Sequence, residues 1–198
     1  MLLGLNGKAV GLWRSAQCDQ GFGCAVRHAV NAVASGCDFV VAQGTEGGGH
    51  TGTVATMALV PQVVDAVGEK VAVVAAGGLF DGRGLAAALS LGAEGVWIGT
   101  RFIATPEAWG VDGYKDVLVA TPEDGTVISR AYTGKTCRVV RTEWTQHFED
   151  HPEDLKRFPE QVGVSVGAGA NHMGAPPEVE VDPKREFMPA GQGVGAVR

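Results

Sequence analysis

Three short apolar runs, CDFVVAQ at 37–43, VAVVAA at 71–76 and EGVWIG at 94–99, each end in a glycine-bearing turn that leads towards a helix-like stretch. Runs so short, largely apolar and rich in β-branched residues fit strands buried on both faces of a parallel sheet. Their starts lie about 23 to 34 residues apart, which leaves room for one crossover helix between neighbours. The intervening segments comply. Residues 24–34 place Val26, Ala29, Val30 and Val33 on one helical face before Gly36, and glycine is the common stop for such a helix. Apolar residues recur at helical spacing from Thr56 to Val67, with Gly68 closing the segment and Pro61 expected to kink it. Residues 83–92 read as a helix of leucine and small residues. A repeated β-α unit of this kind defines an α/β chain, and both the open doubly wound sheet and the closed eight-stranded barrel satisfy it.

Past Arg101 the pattern changes. Thr105, Pro106 and Glu107 have the cap, first-position proline and first-turn acid of a helix start, predicting a helix to about Ala120. Residues 126–130 and 133–141 read as two short strands around Gly134, and Thr142 or Glu143 opens a helix through Phe148. From 150 to 190, proline, glycine and charge predominate, predicting loops and short helices.

Composition narrows the function classes. With 45% hydrophobic and 19% charged residues the chain can bury a core, which excludes a wholly disordered polymer. A net charge of -6 gives no basic footprint for nucleic acid. The apolar runs fall far short of the ~20 residues that a spanning helix needs. The start, MLLGLNGKAVGLW, lacks a convincing cleavage site, so the expected address is the cytoplasm. Cys18, Cys24, Cys37 and Cys137 form no CxxC pair and no spaced Cys/His quartet, predicting reduced thiols and no metal. Thirty glycines without a collagen period belong in turns or against ligands.

The turns carry the chemistry. QGTEGGGHTG at 43–52 leaves the carboxyl end of a strand with Gly47, Gly48 and Gly49 in a row before His50. Glycines let backbone N–H groups approach a planar or anionic ligand, and a histidine can move a proton near neutral pH. Gly77 and Gly78 follow the second strand, Gly99 and Thr100 the third. In a barrel, turns after the last strands commonly hold a phosphate. Arg101 reads equally as a phosphate ligand or an ion-pair partner. Other patterns fail: GFGCAV at 21–26 lacks a third glycine, GKT at 134–136 has Ser129 where a P-loop needs glycine, and HFEDH at 147–151 lacks the HExxH order. Trp97, Phe102 and Trp109 read as core residues, and His28 and His172 have no evident partner.

VAQGTEGGGHTG at 41–52, AAGGLFDGRGLAAALSLGAEGVWIGTRF at 75–102 and PAGQGVGAV at 189–197 together resemble the nitronate monooxygenase family, formerly called 2-nitropropane dioxygenases. FMN-dependent enoyl-acyl-carrier-protein reductases share very similar loops and are the nearest alternative. The resemblance implies a (β/α)8 TIM barrel binding FMN, of which this chain holds the last three β-α units, with a smaller, mostly helical second domain. The implied boundaries are 1–104 for the partial barrel, 105–188 for the insertion and 189–198 for a return segment. Residues 1–22 supply no strand of the kind expected before the first helix.

Carried over by resemblance, Gly77, Gly78, Gly99 and Thr100 hold the FMN phosphate, and Gly47, Gly48 and Gly49 lie against the flavin with Gln43 close by. The family often has alanine at the position of Gly47. His50 matches the residue that hydrogen-bonds the nitro or nitronate group and takes the α-proton of neutral nitroalkanes. The implied partners are a small nitronate or nitroalkane and oxygen, with no nucleic acid or membrane. A complete barrel takes about 250 residues, so open strand edges also predict self-association, and an inactive remnant or assembly subunit is the alternative of another class.

Overall fold

The computed structural model describes residues 2–4 and 25–197, which divide into two compact units. The reading of residues 5–22, and most of GFGCAV, lies outside them.

The first unit comprises the chain to Gly47 together with Thr51–Ile98. Its sheet has the order β1 (Leu2–Gly4), β5 (Gly95–Trp97), β4 (Ala72–Ala76), β2 (Phe39–Gln43). The last three strands are parallel, in the register Val40↔Val73 and Ala75↔Val96, as their apolar runs require. Val73 to Ala76 and Val96 are all buried. Among the described residues the strands form an open sheet and do not close into a barrel. The start of the chain supplies β1, antiparallel to β5, where sequence reading expected no strand.

Helices α1 (Val26–Ala34), α2 (Thr56–Val67) and α3 (Gly82–Ser90) follow the predicted segments within two residues. α2 buries Leu59, Val60, Val63 and Val67 at helical spacing and continues through Pro61. α3 starts where the Asp81 carboxylate accepts from the N–H groups of Arg83 and Gly84, a side-chain cap of the ordinary kind.

The second unit comprises Gly48–His50 and the chain from Gly99. A three-stranded antiparallel sheet of order β3 (Gly49–His50), β7 (Cys137–Val140), β6 (Thr126–Ser129) runs through it. Around the sheet lie α4 (Thr100–Ile103), α5 (Asp112–Ala120), α6 (Glu143–Asp150) and α7 (Glu160–Gly167). The predicted helix from Thr105 does not form: a short helix precedes it, and the longer one begins only at Asp112. Thr105 instead donates its hydroxyl to the carbonyl of Phe102, ending α4 rather than opening a helix. Trp109 in the connecting loop is 72% exposed, against its reading as a core residue.

The core of this unit centres on Tyr132, Val139, Phe148 and Phe187, with Tyr132 and Phe187 ring centroids 4.8 Å apart. Such aromatic contacts add to the gain from burial alone. A second cluster joins Leu118, Val140, Met188 and Val194. The return segment is held by Val140 N–H donating to the Met188 carbonyl at 2.9 Å and Ala190 N–H to the Arg138 carbonyl at 3.3 Å.

Candidate active site

In the first unit the carboxyl ends of β2 and β4 meet through their turns. Gly44 N–H donates to the Ala76 carbonyl at 2.9 Å, and Gly47 N–H to the Gly44 carbonyl at 3.0 Å. α2 begins after Ala55, whose side chain cannot cap it. The missing acceptor comes from Glu46: its carboxylate accepts from Thr56 N–H at 2.9 and 3.1 Å and lies 2.9 Å from the Thr56 hydroxyl. That hydroxyl also reaches the Gly77 carbonyl at 2.9 Å. Glu46 and Thr56 thus tie the glycine loop, the start of α2 and the turn after β4 into one network.

Gly77 has φ +100°, and a Cβ there would lie 2.9 to 3.0 Å from Thr56 Oγ1, the Gly44 carbonyl and Gly47 N. Only glycine fits that combination of backbone and space. The turn continues through Gly78, which has φ +68°. A phosphate oxygen placed here would meet backbone donors without a side chain in the way. Gln43 closes β2, and its side chain lies 2.9 Å from where a Cβ on Gly47 would stand.

In the second unit, Gly48 passes so close to the return segment that a Cβ would lie 2.7 Å from Gly191 N. Gly49 and His50 then pair with Arg138 and Cys137 of β7. Directly opposed residues of antiparallel strands share a face, so His50 stands beside Cys137, whose thiol burial pushes up to about 12. His50 Nε2 lies 3.0 Å from the hydroxyl of Thr133, a buried residue in the β6–β7 connection. Burial first, and the positive charge of Lys135 second, hold the His50 imidazole below its ordinary value. Both effects disfavour the imidazolium.

Gly99 precedes α4, and a Cβ on it would stand in open space. Thr100 accepts from Gly191 N–H through its hydroxyl at 3.0 Å, which leaves the hydroxyl proton to donate. The Arg101 guanidinium donates to the Ala196 carbonyl at 3.1 Å.

The predicted residues therefore fall into two groups, Gln43, Gly47, Gly77 and Gly78 in the first unit and Gly48, Gly49, His50, Gly99 and Thr100 in the second. Sequence reading missed Glu46, Thr56, Thr133 and Lys135. Glu46 lies in the glycine loop at 43–52, while Thr133 and Lys135 lie in a segment that reads as a short strand and whose GKT string fails as a P-loop. His172, read as lacking a partner, has one: its Nδ1 lies 2.7 Å from the buried Glu186 carboxylate. His147 and His151 reach Asp154 and Glu153 at 3.3 and 3.4 Å, and no group of three metal-ligating side chains occurs among the described residues. No helix among those residues is long and apolar enough to cross a membrane.

Comparison with known proteins sets this geometry in a family. Over 126 residues the chain is 49% identical to a (3aS,4S,5R,7aS)-5-hydroxy-7a-methyl-1-oxo-octahydro-1H-indene-4-carboxyl-CoA dehydrogenase of Mycobacterium tuberculosis, covering 63% of this chain and 36% of that protein. It is similar in fold to FabK from Thermotoga maritima, with a TM-score of 0.73, 34% identity, and coverage of 88% of this chain and 54% of the other. A nitroalkane oxidase from Streptomyces ansochromogenes gives a TM-score of 0.70 at 28% identity, covering 89% and 52%. The chain thus spans about a third of that relative's length and about half of each solved chain. The family model for nitronate monooxygenase matches residues 14–182, and the chain belongs to that family of flavin-dependent oxidoreductases.

Proposed function

We propose that this chain carries the phosphate-holding and proton-handling parts of an FMN-dependent nitronate monooxygenase, which oxidises alkyl nitronates with oxygen to carbonyl compounds and nitrite. The observation that carries the reading is His50: a half-buried imidazole held below its ordinary value by burial and by Lys135, bonded to Thr133, on a strand that begins in a run of glycines. A base must be unprotonated at working pH, and this environment favours that form. His50 would hydrogen-bond a nitronate, or take the α-proton of a neutral nitroalkane.

The glycine turns support the cofactor half of the reading. Gly77 and Gly78 turn the backbone at positive φ where no Cβ intrudes, and Gly99 and Thr100 are the residues assigned with them to the FMN phosphate. Gln43, Gly47, Gly48 and Gly49 are assigned to the flavin ring. FMN, when bound, would supply the electron transfer between nitronate and oxygen. The side chains described above bind, orient and move the proton.

Oxygen uptake with an alkyl nitronate and no NAD(P)H tests the proposal, with nitrite as the co-product. A colourless, self-associated protein that consumes no oxygen would leave the remnant reading instead. A second reading, favoured by the 49% identity to a CoA dehydrogenase, places His50 at the acidic carbon of an acyl thioester. Dehydrogenation of a CoA thioester without nitronate turnover would establish it, and NADH-dependent reduction of an enoyl thioester would indicate the reductase.

A further inference from the structure

We infer that Lys135 forms an anion subsite beside His50, selecting substrates whose negative charge lies next to the reacting carbon, the nitronate anion above its neutral nitroalkane. The inference rests on the proposed nitronate chemistry for the identity of the substrate and on geometry within the second unit for the site.

Lys135 follows Gly134, whose φ of +80° turns the chain between β6 and β7. The turn is anchored to His50 through Thr133. The Thr133 hydroxyl lies 3.3 Å from both the N–H and the carbonyl of Lys135 and 3.0 Å from His50 Nε2. A Cβ on Gly134 would lie 2.5 Å from Phe158 N, so the turn sits hard against the segment before α7. The Lys135 ammonium lies 4.1 Å from the centre of the Phe158 ring. The aromatic face holds the stem and favours the cation without neutralising it.

This chain has 22 acidic residues against 16 basic ones, yet no carboxylate among the described residues pairs with Lys135. A partly buried lysine is ordinarily paired. Lys135 instead lies over a half-exposed ring, and its positive charge helps hold the His50 imidazole below its ordinary value. A cation so placed attracts an anionic reactant to the base and stabilises charge that develops on a neutral one only as the proton leaves. It therefore discriminates in binding. The carbanion form of a nitroalkane, with its charge on the planar nitro group, has the chemistry that the subsite lacks.

The test compares the full chain with Lys135→Met and Lys135→Arg. First, kcat/KM is measured by oxygen uptake for an alkyl nitronate and for the corresponding nitroalkane. The ratio of the two should fall about tenfold in Lys135→Met, carried by KM for the nitronate, and recover in Lys135→Arg. Equal losses on both substrates would mean that Lys135 only supports the turn, and would overturn the inference.

Second, nitrate, a planar anion that cannot react, is titrated while the His50 ring signals are followed by NMR. A saturable shift in the native chain that is lost in Lys135→Met is expected. No saturable shift in the native chain would also overturn the inference. Should nitrate saturate in a Lys135-dependent way while no nitronate is consumed, the anion subsite stands and the monooxygenase reading falls.

Discussion

The Thr133 hydroxyl lies 3.0 Å from Nε2 of His50, on the far side of a hairpin that sequence order separates by more than eighty residues. A hydroxyl both donates and accepts, so it can hold the imidazole ring in either tautomer. Thr133→Val removes that partner at nearly constant volume. The expected result is a loss of about tenfold in kcat/KM for a neutral nitroalkane, with Thr133→Ser retaining most of the native rate. Equal losses in the two variants would show that the methyl group, not the hydroxyl, matters.

His50 also predicts a pH profile. Its imidazole is held below the ordinary value of about 6.5 by burial and then by Lys135. Proton removal from a nitroalkane should rise with pH and level off below that value, and His50→Ala should abolish the step. Because the native state binds this proton less readily than the unfolded chain, the linked stability is fully present above the ordinary value. It is lost as pH falls towards the lowered one. Replacing Lys135 by methionine should move the midpoint upward, as read from the His50 ring signals.

Glu46 and Thr56 replace the cap that Ala55 cannot provide. Glu46→Ala should cost about 1 kcal/mol, as for an ordinary N-cap loss. Thr56→Val should cost a similar amount by removing the link to the Gly77 carbonyl. Since both belong to one network, the double variant should lose less than the two single losses added together. Denaturant midpoints measure all three.

Gly77 and Gly99 separate folding from flavin binding. Gly77→Ala puts a Cβ into a positive-φ turn against three atoms at 2.9 to 3.0 Å and should destabilise the chain by about 1–3 kcal/mol. Gly99→Ala meets no atom within 4 Å and should leave the melting temperature essentially unchanged. If Gly99 borders the FMN phosphate, its alanine variant should weaken FMN binding, seen as reduced quenching of flavin fluorescence.

Cys137 should be inert although it neighbours the proposed base. The residue is 2% exposed, and burial pushes its thiol up to about 12. Alkylation at pH 8, mapped by mass spectrometry, should spare Cys137 in the native chain and modify it after denaturation.

The sequence by itself determined the parallel β-α order of the first unit and the position of the glycine turns. Strands such as Ala72–Ala76, buried on both faces, must be apolar throughout, and that requirement is written in consecutive residues. α2 ran from Thr56 to Val67 as read, because its buried face recurs at the helical period. The start of α5 was not legible, since Thr105 carries a capping hydroxyl that serves the end of α4 instead.

Only the tertiary structure decided what surrounds His50. Thr133 and Lys135 reach it through the pairing of Gly49 and His50 with β7, a contact between segments far apart in the chain. Strand register and side-chain burial depend on which partner a segment meets, and no local pattern encodes that choice. The same holds for Glu46: nothing in its neighbours marks it as the cap of a helix ten residues on, because capping depends on where the loop folds back.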